Sequence, residues 1–169
     1  MKYSMRSNVL FDEKNRRLAY IHASASYLKS KIRSADGEII IAEFRMNSSY
    51  DARDHEYIVT DRASNVIATA KPQYSDSDDP MLHGWPLNRA PLVDGLNITV
   101  NGDDFKLTRI GYPKYEIKDT SGKLVLGLGY SPLMKTWRLN GTNCFSPLLI
   151  CGIICFCKYL EFENEAVFL

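Results

Sequence analysis

The chain has 169 residues, 45% of them hydrophobic and 24% charged, with 21 Lys plus Arg against 20 Asp plus Glu, the balance of an ordinary soluble globular protein and not of a disordered, coiled-coil or collagenous one. One domain spanning 1–169 is expected, because a chain of this size hides roughly 68–70% of its unfolded surface without metal or disulfide staples. A formal charge of +1 gives no global pull toward nucleic acid, yet it conceals a net +6 over residues 1–34 and −5 over the rest.

In chain order the texture is strand, turn, strand. Residues 3–11 and 18–23 flank the polar turn candidate DEKNRR, and residues 27–33 lead through Ala35-Asp36-Gly37 into 38–45. Residues 56–61 and 65–70 read as a third hairpin, and 96–100 with 105–110 as a fourth around Asn101-Gly102, the strongest short turn signal in the chain. A fifth pairs 114–118 with 123–129 across Thr120-Ser121-Gly122, and 135–140, with Trp137, adds a further strand. Ten or more short strands are expected. Residues 71–95 are rich in Pro, Asp and Gly and read as a loop. Within that loop Asp76, Asp78 and Asp79 lack the turn glycine and trailing Glu of a calcium loop, while His83 and Trp85 are candidates to cap a sheet edge.

Two patterns stand out inside this texture. Tyr57-x-Val59-x-Asp61 and Tyr115-x-Ile117-x-Asp119 repeat the same aromatic, aliphatic, Asp-turn order, with the Asp placed to bond turn amides. Along the strand expected over 27–33, Lys29, Lys31 and Arg33 alternate and therefore share one face. With Arg16 and Arg17 they form the candidate site for an anion or a phospholipid headgroup, where phosphate binding is charge-assisted and weakened by salt.

The final segment breaks the alternation. Ser146-Pro147 precedes LLICGIICFCKYL, an N-cap and first-turn proline opening a helix over about 146–159. Only 11 uncharged residues, 147–157, precede Lys158, against about 20 for a bilayer span, so no transmembrane segment is expected. A helix apolar all round is a buried helix. A chain otherwise built of strands surrounds one by rolling its sheet into a barrel. Cys144, Cys151, Cys155 and Cys157 cluster in this segment and are expected as buried thiols, since a disulfide framework spreads its cysteines. Cys151 and Cys155 share a helical face, but no His accompanies them to complete a zinc set. No cofactor is expected. The N-terminus lacks the apolar stretch of a signal peptide, which predicts a cytoplasmic protein, peripheral wherever it meets a membrane.

Hairpins, repeated Tyr-x-aliphatic-x-Asp units and a last hydrophobic helix together resemble the tubby C-terminal-like superfamily, which takes in tubby proteins, plant LURP-one-related proteins and phospholipid scramblases. The resemblance covers nearly the whole chain and lies nearer the LURP-one size than tubby's. It implies a closed antiparallel β-barrel of about twelve strands around a central C-terminal helix, followed by a last strand at 161–168. No local motif carries tubby's phosphoinositide-binding residues onto this chain. The functional expectation is a non-enzymatic binding or scaffolding module that engages a phospholipid headgroup, a membrane surface or a protein partner. A small-molecule carrier barrel resembling a lipocalin is the alternative, decided by whether the helix fills the lumen. An enzyme ranks last: His22, His55 and His83 are scattered, Gly127-Leu128-Gly129 lacks the rest of a dinucleotide loop, and Asp51, Asp54 and His55 read as solvent-facing charges of a polar loop.

Overall fold

The computed structural model of the chain describes residues 1–23, 28–46, 55–75, 92–111 and 113–165. Within them lie twelve strands: β1 (Lys2–Arg6), β2 (Val9–Phe11), β3 (Arg17–Ala23), β4 (Lys29–Ser34), β5 (Ile39–Met46), β6 (His55–Asp61), β7 (Val66–Tyr74), β8 (Val93–Val100), β9 (Asp103–Gly111), β10 (Lys114–Asp119), β11 (Leu124–Ser131) and β12 (Thr136–Gly141). A single long helix, α1 (Pro147–Glu165), follows. Every strand pairs antiparallel with its sequence neighbours, and β12 returns to β1 with Tyr3 opposite Leu139 and Met5 opposite Trp137, so the sheet closes into a barrel. Closure removes the edges at which an open sheet would recruit other chains.

Four hairpins at one end of the barrel share one turn. Asp12, Ser34, Asp61 and Asp119 each accept a hydrogen bond at their carbonyl from the amide three residues on and donate their own amide to the carbonyl four residues on. The residue at the third step is left-handed in all four: Asn15 (φ 59°), Gly37 (φ 99°), Ser64 (φ 69°) and Gly122 (φ 82°). This is a type I turn closed by a bulge. The repeated Asp of the sequence has the local role expected of it: Asp61 Oδ1 accepts from the Asn65 amide at 2.8 Å, and Asp119 Oδ1 from the Ser121 and Lys123 amides at 2.9 and 3.0 Å. The Asn65 side-chain amide on Asp61 and the Ser121 hydroxyl on Asp119, reinforced by these bonds, favour the charged carboxylate and hold both Asp61 and Asp119 below the usual range.

Three element boundaries need correction. Residues 3–11 are not one strand; Ser7 (φ 47°) and Asn8 (φ 65°) turn the chain between β1 and β2, the paired positive φ of a two-residue hairpin made without glycine. The loop expected over 71–95 is shorter at both ends, since β7 continues to Tyr74 and β8 starts at Val93. Pro72 is tolerated because β6 pairs with β7 only as far as Ala70, leaving Pro72 bonded on the β8 side alone. The helix does not stop at 159 to release a strand over 161–168; it runs on to Glu165. Asp76, Asp78, Asp79, His83 and Trp85 lie outside the described residues.

The helix enters at the end carrying the four shared turns. Ser146 Oγ accepts from the Leu149 amide at 3.3 Å and its carbonyl accepts from Ile150 at 2.9 Å, the N-cap that the Ser-Pro pair predicts. Ile150, Ile153, Ile154, Cys155 and Phe156 are at most 1% exposed, as required of a helix surrounded by a sheet. Cys151, Cys155 and Cys157 are buried among them, but Cys144 is exposed. It precedes the N-cap and escapes the lumen, which corrects the expectation for that thiol. Among the described residues no helix is long and apolar enough to cross a membrane.

Candidate functional site

The strand register decides which cations meet. On β4, Lys29, Lys31 and Arg33 all point outward and are exposed, while Ile32 and Ser34 between and beyond them are buried. Spaced two residues apart, they form a row about 13 Å long at roughly 3.3 Å per residue. Cross-strand pairing gives each a neighbour on either side: Arg33 lies between Tyr20 and Ile39, and Lys31 between His22 and Ile41. The Tyr20 and His22 rings meet edge to face at 4.5 Å. Lys29 faces Glu43, 3.7 Å from its carboxylate, and Glu43 is shared with Arg45 at 3.3 Å. Exposed pairs of this kind contribute little and dissociate readily. Arg17 sits on β3 opposite Phe11 of β2. Arg16 stands apart, in the β2–β3 turn, where its Nε bonds Asp12 at 2.7 Å. The structure thus brings three of the five candidate cations into one row.

A second site lies at the far end of the barrel, where α1 emerges. The helix packs against β3, β4, β5, β6 and β8, off the barrel axis. A twelve-stranded barrel is wider than the roughly 10–12 Å of one helix with its side chains, and beside the helix a cavity of about 630 Å³ remains. Met5, Tyr115, Tyr130 and Trp137 of the barrel line one wall; Cys157, Lys158, Glu161 and Phe162 of the helix line the other. Trp137 stacks on Tyr115 at 6.0 Å and tilts against Tyr130 at 5.3 Å. Helix in the lumen and free internal volume therefore coexist, although the sequence reading set them against each other.

Acids on the last turns of α1 are held by the barrel wall. Glu161 accepts from the Tyr115 hydroxyl and pairs with Arg109 Nε at 3.0 Å. Glu163 accepts from the Tyr57 hydroxyl at 2.6 Å, with His55 Nδ1 at 3.3 Å. Burial, reinforced by the adjacent carboxylates, lifts both phenols above the ordinary tyrosine range. Asn164 completes the anchor, accepting from the Val93 amide at 2.7 Å and donating to its carbonyl at 3.0 Å. His55 is consequently no loop residue: it opens β6, packs on the Phe44 ring at 5.3 Å and has a side chain 16% exposed. Its supposed partners Asp51 and Asp54 lie outside the described residues. The sequence reading missed Glu161, Glu163 and the cavity wall. The missing Gly or Pro after Tyr159 was the signal that the helix continues.

No family model and no curated protein sequence matches the chain. Among solved structures, the X-ray structure of the Arabidopsis thaliana protein AT5G01750 is similar, with a TM-score of 0.52 and 12% identity over 95% of this chain and 91% of that one. At that identity the likeness speaks for the fold: the closed barrel around a C-terminal helix has a solved counterpart over nearly the whole length.

Proposed function

We propose that the chain is a non-enzymatic, tubby-like binding module of LURP-one-related type whose β4 stripe engages anionic phospholipid headgroups at a membrane surface. The observation that carries this reading is the register that sets Lys29, Lys31 and Arg33 in one outward row, flanked by half-buried Tyr20, Ile39 and Ile41. Cations beside aromatic and aliphatic side chains suit an interface where phosphate lies above apolar chains. Among the described residues of β3, β4 and β5, Glu43 is the one acid on this outer face, and Lys29 and Arg45 already neutralise it.

Flotation with phosphatidylserine-containing vesicles tests the assignment. The triple variant Lys29→Glu, Lys31→Glu, Arg33→Glu should lose vesicle binding, and wild-type binding should fall as salt rises, by roughly 1 kcal/mol of attraction per cation near the surface. A control pair on another wall, Lys106→Glu with Lys118→Glu, should bind as wild type does. Vesicle binding unchanged by the triple reversal removes the stripe from the site.

A further inference from the structure

The cavity beside α1 has a chemistry that the outer stripe does not use. Its inner surface is mainly apolar, with Met5, Ile21, Cys155, Cys157 and Trp137, all buried, interrupted by Ser30, and its volume of about 630 Å³ falls within the about 300–1,000 Å³ of small-molecule sites. Charge is concentrated at the mouth. Glu161 reaches the cavity with its carboxylate already met by Arg109 and Tyr115. Among the described residues Lys135 and Lys158 then stand against Glu165, a net positive rim, with Lys158 Nζ donating to Asn8 Oδ1 at 3.3 Å. Beside Lys135, the β11–β12 turn exposes Leu133 at 96% and Met134 at 59%, two large apolar side chains left in water at the tip of a hairpin. Together they make an apolar tip beside the mouth that an apolar phase would bury.

We infer that the cavity takes the acyl chain of a single-chain anionic amphiphile, with its acidic head between Lys135 and Lys158, loaded from a membrane into which Leu133 and Met134 dip. The two ends of the site match the two ends of such a ligand: an apolar bore lined by aromatic rings, and a cationic rim that pairs with a carboxylate or phosphate. Uncharged apolar molecules fit the bore but not the rim, and polar metabolites fit the rim alone.

Trp137 supplies the readout. In a Trp85→Phe background it is the only tryptophan of the chain, and 12-bromododecanoate bound in the cavity should quench it saturably with one site per chain. Dodecanoate and lauroyl lysophosphatidate should compete, the stronger competitor identifying the head as carboxylate or phosphate, whereas dodecanol should compete at least about tenfold more weakly, the factor that a charge-assisted bond of about 1.4 kcal/mol or more gives. Lys135→Glu with Lys158→Glu should weaken binding by the same factor; both side chains are exposed, and circular dichroism checks that the barrel persists. Leu133→Ser with Met134→Ser should slow uptake from vesicles while leaving the affinity for free acid intact. No saturable quenching below the micellar concentration, equal competition by dodecanol, or indifference to the lysine reversals would overturn the inference. The Lys29, Lys31 and Arg33 reversal should keep full cavity binding, which separates failure here from failure of the outer stripe.

Discussion

Tyr57 donates its phenolic hydrogen to Glu163 Oε1 at 2.6 Å, tying β6 to the last turn of α1 across 106 positions of sequence. Tyr115, the residue that occupies the same place in the sequence repeat, does the same from β10 to Glu161. The repeated unit therefore has two ends with two roles: its Asp closes a hairpin at one rim, and its Tyr, four residues earlier and on the inward face, clasps the helix toward the other. A carboxylate drawn into a barrel end loses water, and the phenol replaces part of that hydration.

Removing either hydroxyl should weaken the clasp without emptying any volume. Tyr57→Phe leaves Glu163, whose side chain is only 8% exposed, with one fewer donor, at a cost of about 1–3 kcal/mol. At roughly 2–4 °C per kcal/mol for a chain of this size, the midpoint of thermal unfolding should drop by several degrees. Pairing Tyr57→Phe with Glu163→Ala should cost less than the sum of the two singles, and strict additivity would mean that the bond contributes nothing.

Gly152 sets how near the helix lies to the wall. A methyl group placed there would meet Val59 Cγ2 at 2.9 Å, and Val59 is β-branched, stiff and fully buried. Alanine is favoured over glycine within helices by about 1 kcal/mol, whereas overpacking a core costs about 1–3 kcal/mol. The clash should win, so Gly152→Ala lowers the urea midpoint. Adding Val59→Ala frees the space, and the double variant should then be more stable than Val59→Ala alone, the sign that identifies close approach as the cause.

Local chemistry made most of the barrel readable. Alternation located the strands, Asn101-Gly102 and Thr120-Ser121-Gly122 located their turns, and Ser146-Pro147 located the helix start, because each is decided within a few residues. What stayed hidden was settled at long range. Beyond the missing Gly or Pro after Tyr159, nothing near Glu161, Glu163 and Asn164 says that an acidic stretch continues a buried helix; Tyr115, Tyr57 and Val93, far away in sequence, satisfy them. The Ser7-Asn8 turn carries no glycine, although asparagine accepts positive φ better than most residues. The cavity is least readable of all, being the difference between a lumen and an off-axis helix, neither of which any one segment encodes.

The turn carboxylates predict an acid limit. Asp12, Asp36, Asp61 and Asp119 all ionise more readily in the folded chain than in a free one, Asp12 chiefly through the Arg16 amide and Asp119 through the Ser121 hydroxyl. A depressed folded-state pKa contributes stability that is present above the unfolded value of about 3.9 and is lost as pH falls through the folded one. Urea midpoints should hold steady from pH 6 to 5 and decline below about pH 4. In a combined Asp61→Asn, Asp119→Asn variant that decline should be shallower, and an equal slope would assign acid sensitivity to other groups.

The thiols predict the opposite limit and report on the helix directly. Cys144 is exposed, whereas Cys151, Cys155 and Cys157 are buried in the lumen, where burial pushes the Cys155 thiol up to about 11. An acid whose folded-state pKa is raised adds nothing to pH dependence while both states are neutral. Its contribution is complete below the unfolded value of about 8.5 and is lost as pH rises toward 11, because only the unfolded chain ionises easily. With a maleimide carried on a long polyethylene glycol chain, too bulky to enter the cavity that Cys155 and Cys157 line, one of the four thiols should react at once at pH 8 and three only as fast as the barrel opens, the slow rate rising with denaturant in step with unfolding. Rapid reaction of a second thiol in the native protein would place part of α1 outside the barrel, since a thiolate must be reached by reagent before it can react.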